Sequence, residues 1–222
     1  MIKIGAVTVG QAPRVDVTAD ILSLFGDAQL LEKGGLDGLT REEISAFAPA
    51  EGDYVLVSRL TDGSSVTFAE KYVLPRLQAA IDQLEAEGCR LIMFFCTGDF
   101  PDTFHSKVPL IFPNRILQGL VPALTTTGSI AVITPSALQL NQSREKWQKY
   151  VRRATPIAAS PYGDFSVIEN AAKEVCKIDC DLVVLDCIGY TAAMKRYFSE
   201  ITGKNVVLSR TLLARVVSEL IG

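Results

Sequence analysis

The chain has one histidine, His105, one tryptophan, and no Cys-x-x-Cys pair. Structural zinc and iron–sulfur sites are built from clustered cysteine and histidine, so this scarcity argues against a bound metal. No run approaches the roughly 18 consecutive apolar residues of a membrane span. The first residues, MIKIGAVTVGQAPR, carry a short apolar run that ends at Gly10 without a small-residue cleavage site, so no signal peptide is expected. Five cysteines is an odd number with no other sign of secretion, which points to reduced thiols and a cytoplasmic location. A basic excess is missing too. The net charge of −3 gives no electrostatic footprint for nucleic acid or anionic lipid. Neither GxGxxG nor a Walker A loop occurs, so no motif supports a nucleotide cofactor.

What is present is a chain of 222 residues, 48% hydrophobic and 21% charged, long enough for one large α/β domain or two small lobes. Short apolar runs alternate with amphipathic stretches throughout. Strands are expected at 2–9, 54–59, 91–95, 110–112, 129–134, 155–159, 182–186 and 206–208. Helical patterns lie at about 14–25, 69–87, 113–124, 137–150, 165–177, 190–200 and 209–220. Thr40 and Glu43 fit a capping box that opens a short helix through Phe47. Nearly continuous apolar strands separated by helices predict parallel βαβ units covered on both faces.

The sequence also repeats itself. CRLIMFFCTG (89–98) aligns without gaps on CDLVVLDCIG (180–189), 91 positions later. PLIFPNRILQGLVPAL (109–124) aligns on NVVLSRTLLARVVSEL (205–220), 96 positions later, and IGAVTVG (4–10) pairs more faintly with IAVITPS (130–136). Similar halves arise whenever parallel strands favour Val, Ile and Leu, but that does not account for Cys-x-Gly at both strand ends. The repeat predicts duplicated lobes, residues 1–112 with 209–222 and residues 113–208.

Ligands of open parallel sheets bind beyond the carboxyl ends of the strands. Cys96 and Cys187 each follow a strand at once, and each chain then leaves through glycine, as Cys96-Thr97-Gly98 and Cys187-Ile188-Gly189-Tyr190-Thr191. Glycine brings backbone N–H groups close to a ligand. Amides at a helix start favour a carboxylate, and the same field lowers the pKa of a nearby thiol. Cys89, Cys176 and Cys180, at helix ends or strand starts, read as small hydrophobes. After the first strand come Thr8, Gly10, Gln11 and Arg14, with Gly10 allowing the turn, Pro13 suited to the first helical position, and Gln11 and Arg14 placed to reach a ligand. Arg59, Arg115 and Arg210 stand at or just after strand ends, where a guanidinium can grip a carboxylate in two-pronged fashion. His105 reads as a surface side chain, and Trp147 as packing.

The segments TVGQAPR (8–14), DGLTREEI (37–44), GDYVLVSRLTDG (52–63), LDCIGYT (185–191) and LSRTLLARVVSEL (208–220) together resemble the AroM family over nearly the whole chain. More distantly, the duplicated lobes with one strand-end cysteine each are similar to the aspartate/glutamate racemase superfamily. That superfamily includes amino-acid and hydantoin racemases, maleate isomerases and arylmalonate decarboxylases, all working without a cofactor. The resemblance implies an α/β fold of two duplicated, mostly parallel open-sheet lobes related by pseudo-twofold symmetry. It implies Cys96 and Cys187 as the catalytic pair facing one shared cleft, one removing the α-proton and the other returning a proton to the opposite face. Substrate-binding positions by this reading are Thr8, Gly10, Gln11, Arg14, Arg59, Thr97, Gly98, Asn114, Arg115, Thr134, Gly189, Tyr190 and Thr191. The usual Cys-Asn-Thr and Cys-Thr-His are replaced here by Cys96-Thr97-Gly98 and Cys187-Ile188-Gly189, and Thr8-Val9-Gly10-Gln11 stands where the superfamily usually has an acidic residue. The expected partner is a small carboxylate or amino-acid-like ligand, and relatives of the superfamily often form a homodimer. Two other readings stand beside the two-thiol isomerase: a single-cysteine isomerase or decarboxylase, and a non-catalytic sensor of a small acid.

Overall fold

The computed structural model describes residues 1–222. Clustering of its contacts divides the chain into two compact units, Met1–Phe112 with Leu213–Gly222, and Pro113–Leu212.

The first unit contains β1 (Lys3–Thr8), α1 (Val15–Thr18), β2 (Gln29–Gly34), α2 (Arg41–Ser45), β3 (Val55–Arg59), β4 (Ser65–Ala69), α3 (Leu74–Ala86), β5 (Ile92–Phe94) and β6 (Leu110–Ile111). Its main sheet is wholly parallel, in the order β2-β1-β5-β6. Along α3 the apolar positions Leu77, Ala80, Ile81 and Leu84 recur at helical spacing and are the buried ones, while Pro75 occupies the first turn, where no N–H is missed. Gly5 lets this helix approach β1, since a Cβ there would sit 3.0 Å from both Leu84 and Ile92.

The second unit contains α4 (Pro113–Leu120), β7 (Ser129–Thr134), α5 (Leu140–Gln148), β8 (Arg153–Ala158), α6 (Ser166–Val175), β9 (Leu182–Leu185), α7 (Ala192–Thr202), β10 (Asn205–Leu208) and the start of α8 (Ser209–Ile221), inside which the division falls. Its sheet is also parallel, in the order β8-β7-β9-β10. Successive residues face opposite ways. Ala131, Ile133, Val183 and Leu185 join one apolar cluster with α6, and Ile130, Val132, Leu182 and Val184 join another around Trp147. That is why these strands read as unbroken apolar runs.

The two sheets are the same motif written twice. In the first, Gly5 lies opposite Ile92 and Ile92 opposite Leu110; in the second, Ala131 lies opposite Val183 and Val183 opposite Val206. These are the residues that the three sequence alignments match. Duplication therefore extends to strand register, in which a slip of one residue would turn every side chain to the wrong face.

Three local expectations need correction. β2 has no counterpart among the strands the sequence predicts, because QLLEKG is mostly half-buried and carries Glu32 and Lys33 in its middle, so the apolar signal is weak. Residues 65–69 form a strand antiparallel to β3, and α3 begins only at Leu74 rather than at 69. The Asp62-Gly63 turn, with φ of +87° at Gly63, is the hairpin signal for that pairing. Pro13 lies ahead of α1 rather than at its first position. The capping box forms as expected, with Thr40 accepting from the Glu43 amide and Glu43 accepting from that of Thr40.

Candidate functional site

Each unit presents a thiol-bearing loop at the carboxyl edge of its sheet. In the first, β1 and β5 are neighbours, and Phe95 N–H donates to Val7 O, so the Thr8 turn and the Cys96 loop emerge side by side. Cys96 is 9% exposed. Gly98 N–H donates to its sulfur at 3.4 Å, turning Cys96-Thr97-Gly98 into a tight loop with the amide aimed at the thiol. Asp99 N–H donates to the Tyr54 hydroxyl at 2.9 Å, and Leu56 lies close to Gly98, so the β3–β4 hairpin backs this loop. Further along, Phe100 and Phe104 gather on Phe94, whose ring stacks on Phe112 at 4.2 Å. Aromatic packing, worth about 0.5–1.5 kcal/mol per pair beyond burial, holds a segment that has no helix.

The second unit reproduces this geometry. Asp186 N–H donates to Ile133 O, as Phe95 does to Val7, and brings Cys187 to the edge beside Thr134. Cys187 is 7% exposed, and Gly189 N–H donates to its sulfur at 3.3 Å. An N–H aimed at sulfur favours the thiolate over the thiol. Thr191 caps α7 by accepting from the Met194 amide, so the loop runs directly into a helix.

The other predicted positions sort into edge residues and braces. Thr8, Gly10, Thr97 and Gly98 lie at the first edge, and Thr134, Gly189 and Thr191 at the second. Gly10 is pressed onto the hairpin, where a Cβ would fall 2.3 Å from Ser58 Oγ. Arg14 is 2% exposed and has turned its fork inward: Nε and Nη2 meet both oxygens of Asp16, and Nη1 donates to Thr8 and Ser58. It organises the Thr8 turn rather than extending freely from it. Gln11 ties the same turn to Leu39 O and Thr61. Tyr190 is fully buried, with its hydroxyl donating to Ala159 O at 2.6 Å, and burial holds its pKa well above the ordinary phenol value. Arg210 is fully buried as well and donates to Ile188 O and Gly189 O, clamping the Cys187 loop. Arg59 is half-buried, and its Nε donates to Gly63 O. Asn114 is buried on α4, and Arg115 beside it is exposed. His105 is exposed. So is Cys176, although its place at a helix end predicts a small buried hydrophobe.

Asp186, Tyr162 and Glu70 were not singled out by sequence. Asp186, immediately before Cys187, accepts from Lys146 Nζ at 2.9 and 3.1 Å and from Trp147 Nε1 at 2.7 Å, all deeply buried. A charge at the end of an apolar strand was the available signal, and it gives Trp147 a polar task besides packing. Tyr162, in the turn after β8, brings its hydroxyl to 3.8 Å from Cys187 Sγ. Glu70 has one carboxylate oxygen buried without a hydrogen-bond partner; burial first, then the charge of Asp99, push its pKa up to about 7.

A model of the family described as AroM protein matches residues 4–221. A search of the curated proteins finds no match. Among solved structures, the chain is similar to allantoin racemase from Klebsiella pneumoniae, at 13% identity and TM-score 0.64, over 100% of this chain and 88% of that one. It is similar to the aspartate racemase of Picrophilus torridus, at 12% identity and TM-score 0.65, over 99% of this chain and 94% of the other. The maleate isomerase Iso from Pseudomonas putida S16 aligns at 11% identity and TM-score 0.62, over 99% and 92%. At such identities the likeness speaks for the fold, a racemase-like α/β architecture. No helix is long and apolar enough to cross a membrane.

Proposed function

The chain belongs to the AroM family, and on that premise we propose that it is a cofactor-independent isomerase that moves a proton on a small carboxylate, using Cys96 and Cys187. One observation carries this reading: both strand-end sulfurs accept an N–H from the glycine two residues on, at 3.4 and 3.3 Å, at equivalent places in a duplicated sheet. A duplication kept for packing alone has no reason to keep a thiol and its amide at both edges. The names of the fold relatives, two racemases and an isomerase, lend support in kind.

In the proposed reaction the two thiols serve one substrate. A thiolate takes the proton from the carbon next to the carboxylate, and the negative charge spreads onto that carboxylate. The second thiol returns a proton to the other face, leaving itself as thiolate. Atoms and charge balance, and no electron acceptor is needed. Backbone amides at the loop edges, with Thr97 and Thr191 beside them, would stabilise the developing charge; Arg59, with its outer nitrogens unengaged, is the first choice in the first unit to hold the carboxylate.

The test is incubation of candidate chiral carboxylates in deuterium oxide. Inversion with deuterium at the α-carbon is expected, and Cys96→Ala and Cys187→Ala are each expected to lower turnover by ~100-fold or more, the scale of a lost acid or base. Inversion without deuterium uptake would sink the scheme. A loss of turnover confined to Cys187→Ala would favour a single-cysteine reaction centred on Cys187, a reading that the Tyr162 and Asp186 contacts of that loop also support.

A further inference from the structure

Tyr162 stands out among the groups that the proposed reaction leaves unused. Its hydroxyl lies 3.8 Å from Cys187 Sγ. Gly189 is what admits it: a Cβ there would lie 2.4 Å from the Tyr162 oxygen and 2.6 Å from the ring carbon bearing it. The glycine therefore does two things in one place, donating its amide to the sulfur and leaving room for the phenol beside the same loop.

We infer that Tyr162 is a positioning residue that holds Cys187 as the resting thiolate. Either atom could donate in this contact; a thiol is a weak hydrogen-bond acceptor and a thiolate a strong one, so with the phenol as donor the contact stabilises the charged form. Other polar side chains around the loop are engaged with partners of their own. Tyr190 has committed its proton to Ala159 O, and burial keeps it neutral. Asp186 is bound by Lys146 and Trp147. Arg210 donates to the loop carbonyls of Ile188 and Gly189, and Ser209 to that of Cys187. The inference rests on the isomerase reading only for its purpose; it assigns which thiol starts as the base.

The experiment is alkylation of the intact protein by iodoacetamide between about pH 6 and about pH 9, with the Cys187 and Cys96 peptides quantified separately by mass spectrometry. In Tyr162→Phe the midpoint for Cys187 is expected to rise by about half to one unit, with ~3- to 10-fold slower labelling near neutral pH, the scale of one lost hydrogen bond to a charged group. Cys96 is expected to be unchanged. Gly189→Ala, which displaces the phenol without removing it, should move the Cys187 midpoint in the same direction, and it serves if the first variant fails to fold. Equal Cys187 labelling in wild type and variant at every pH, including equally slow labelling, overturns the inference. So does a shift that appears at Cys96 as well, because that reports general loosening. A Cys187 shift in a protein that inverts no substrate keeps Tyr162's role and removes the isomerase reading; inversion with no shift does the reverse.

Discussion

The two thiol loops share a backbone and differ in what stands behind them. Phe95, 1% exposed, precedes Cys96, and Asp186, bound by Lys146 and Trp147, precedes Cys187. Their amides donate to equivalent carbonyls, Val7 and Ile133. Duplication has thus preserved what the main chain does, which is to deliver a sulfur to the sheet edge and point a glycine amide at it. It has let the supporting side chain diverge from an aromatic plug to a buried ion pair. A buried pair is weak evidence for stability, since desolvation offsets most of the attraction. Such a pair stands next to one thiol loop only.

The largest expected effect tests that contrast. Asp186→Ala should cost about 3–5 kcal/mol in urea unfolding, because it removes the carboxylate to which the Lys146 ammonium, 5% exposed, and the Trp147 N–H both donate. Replacing both partners, Lys146→Met with Asp186→Leu, should recover most of the loss, less about 1–3 kcal/mol for the orphaned Trp147 N–H. If Asp186→Ala costs under about 1 kcal/mol, the ion pair is not the structural counterpart of Phe95. Next in size is Arg210→Met, expected to cost about 2–4 kcal/mol because two buried carbonyls, Ile188 and Gly189, lose their donor.

The same contrast marks what was legible in the sequence. Apolar runs and their offsets located seven of the eight main-sheet strands and both thiol loops, because burial on two faces leaves a strong local imprint. β2 escaped because half-exposed strands carry little periodicity, and the hairpin because residues 65–69 were absorbed into the helical pattern that follows. The loops were legible as chain positions but their side-chain directions were not. Nothing local says that Arg14 folds back onto Asp16, or that Tyr162, 25 positions before Cys187, returns to touch its sulfur. Such contacts depend on loop closure across the sheet, and Asp186 could be recognised as part of a pair only once Lys146 lay beside it.

A smaller effect separates the carboxyl groups of the two units. Asp186 in the second has a cation, whereas Glu70 in the first has a buried oxygen without a partner and a pKa raised to about 7, mainly by burial. Between its ordinary value of 4.5 and about 7 the folded chain holds a proton that the unfolded chain has released. Folding stability from this group is therefore full below that window and falls as pH rises through it. Discounted for partial exposure, the fall should be about 1–2 kcal/mol. Glu70→Gln should remove that slope, so the difference between variant and wild type grows in the variant's favour from pH 5 to pH 8. A constant difference would show that Glu70 ionises normally.

The smallest effect compares one device in both units. Thr40 caps α2 in a capping box, and Thr191 caps α7 directly after the Cys187 loop. Replacing either with alanine should cost about 1 kcal/mol, the usual value of a side-chain cap. The consequences for the thiols should differ. α2 belongs to the segment between β2 and β3, away in sequence from the Cys96 loop, so Thr40→Ala should leave Cys96 labelling untouched. Thr191 is four residues beyond Cys187, and its cap fixes where Gly189 and Tyr190 must turn. Thr191→Ala should therefore change the alkylation rate of Cys187 by ~2- to 5-fold at constant pH, in line with about 0.5–1 kcal/mol of lost loop positioning. Equal silence at both thiols would mean that the loop is set by Arg210 and Tyr162 alone, and that the cap supports only its helix.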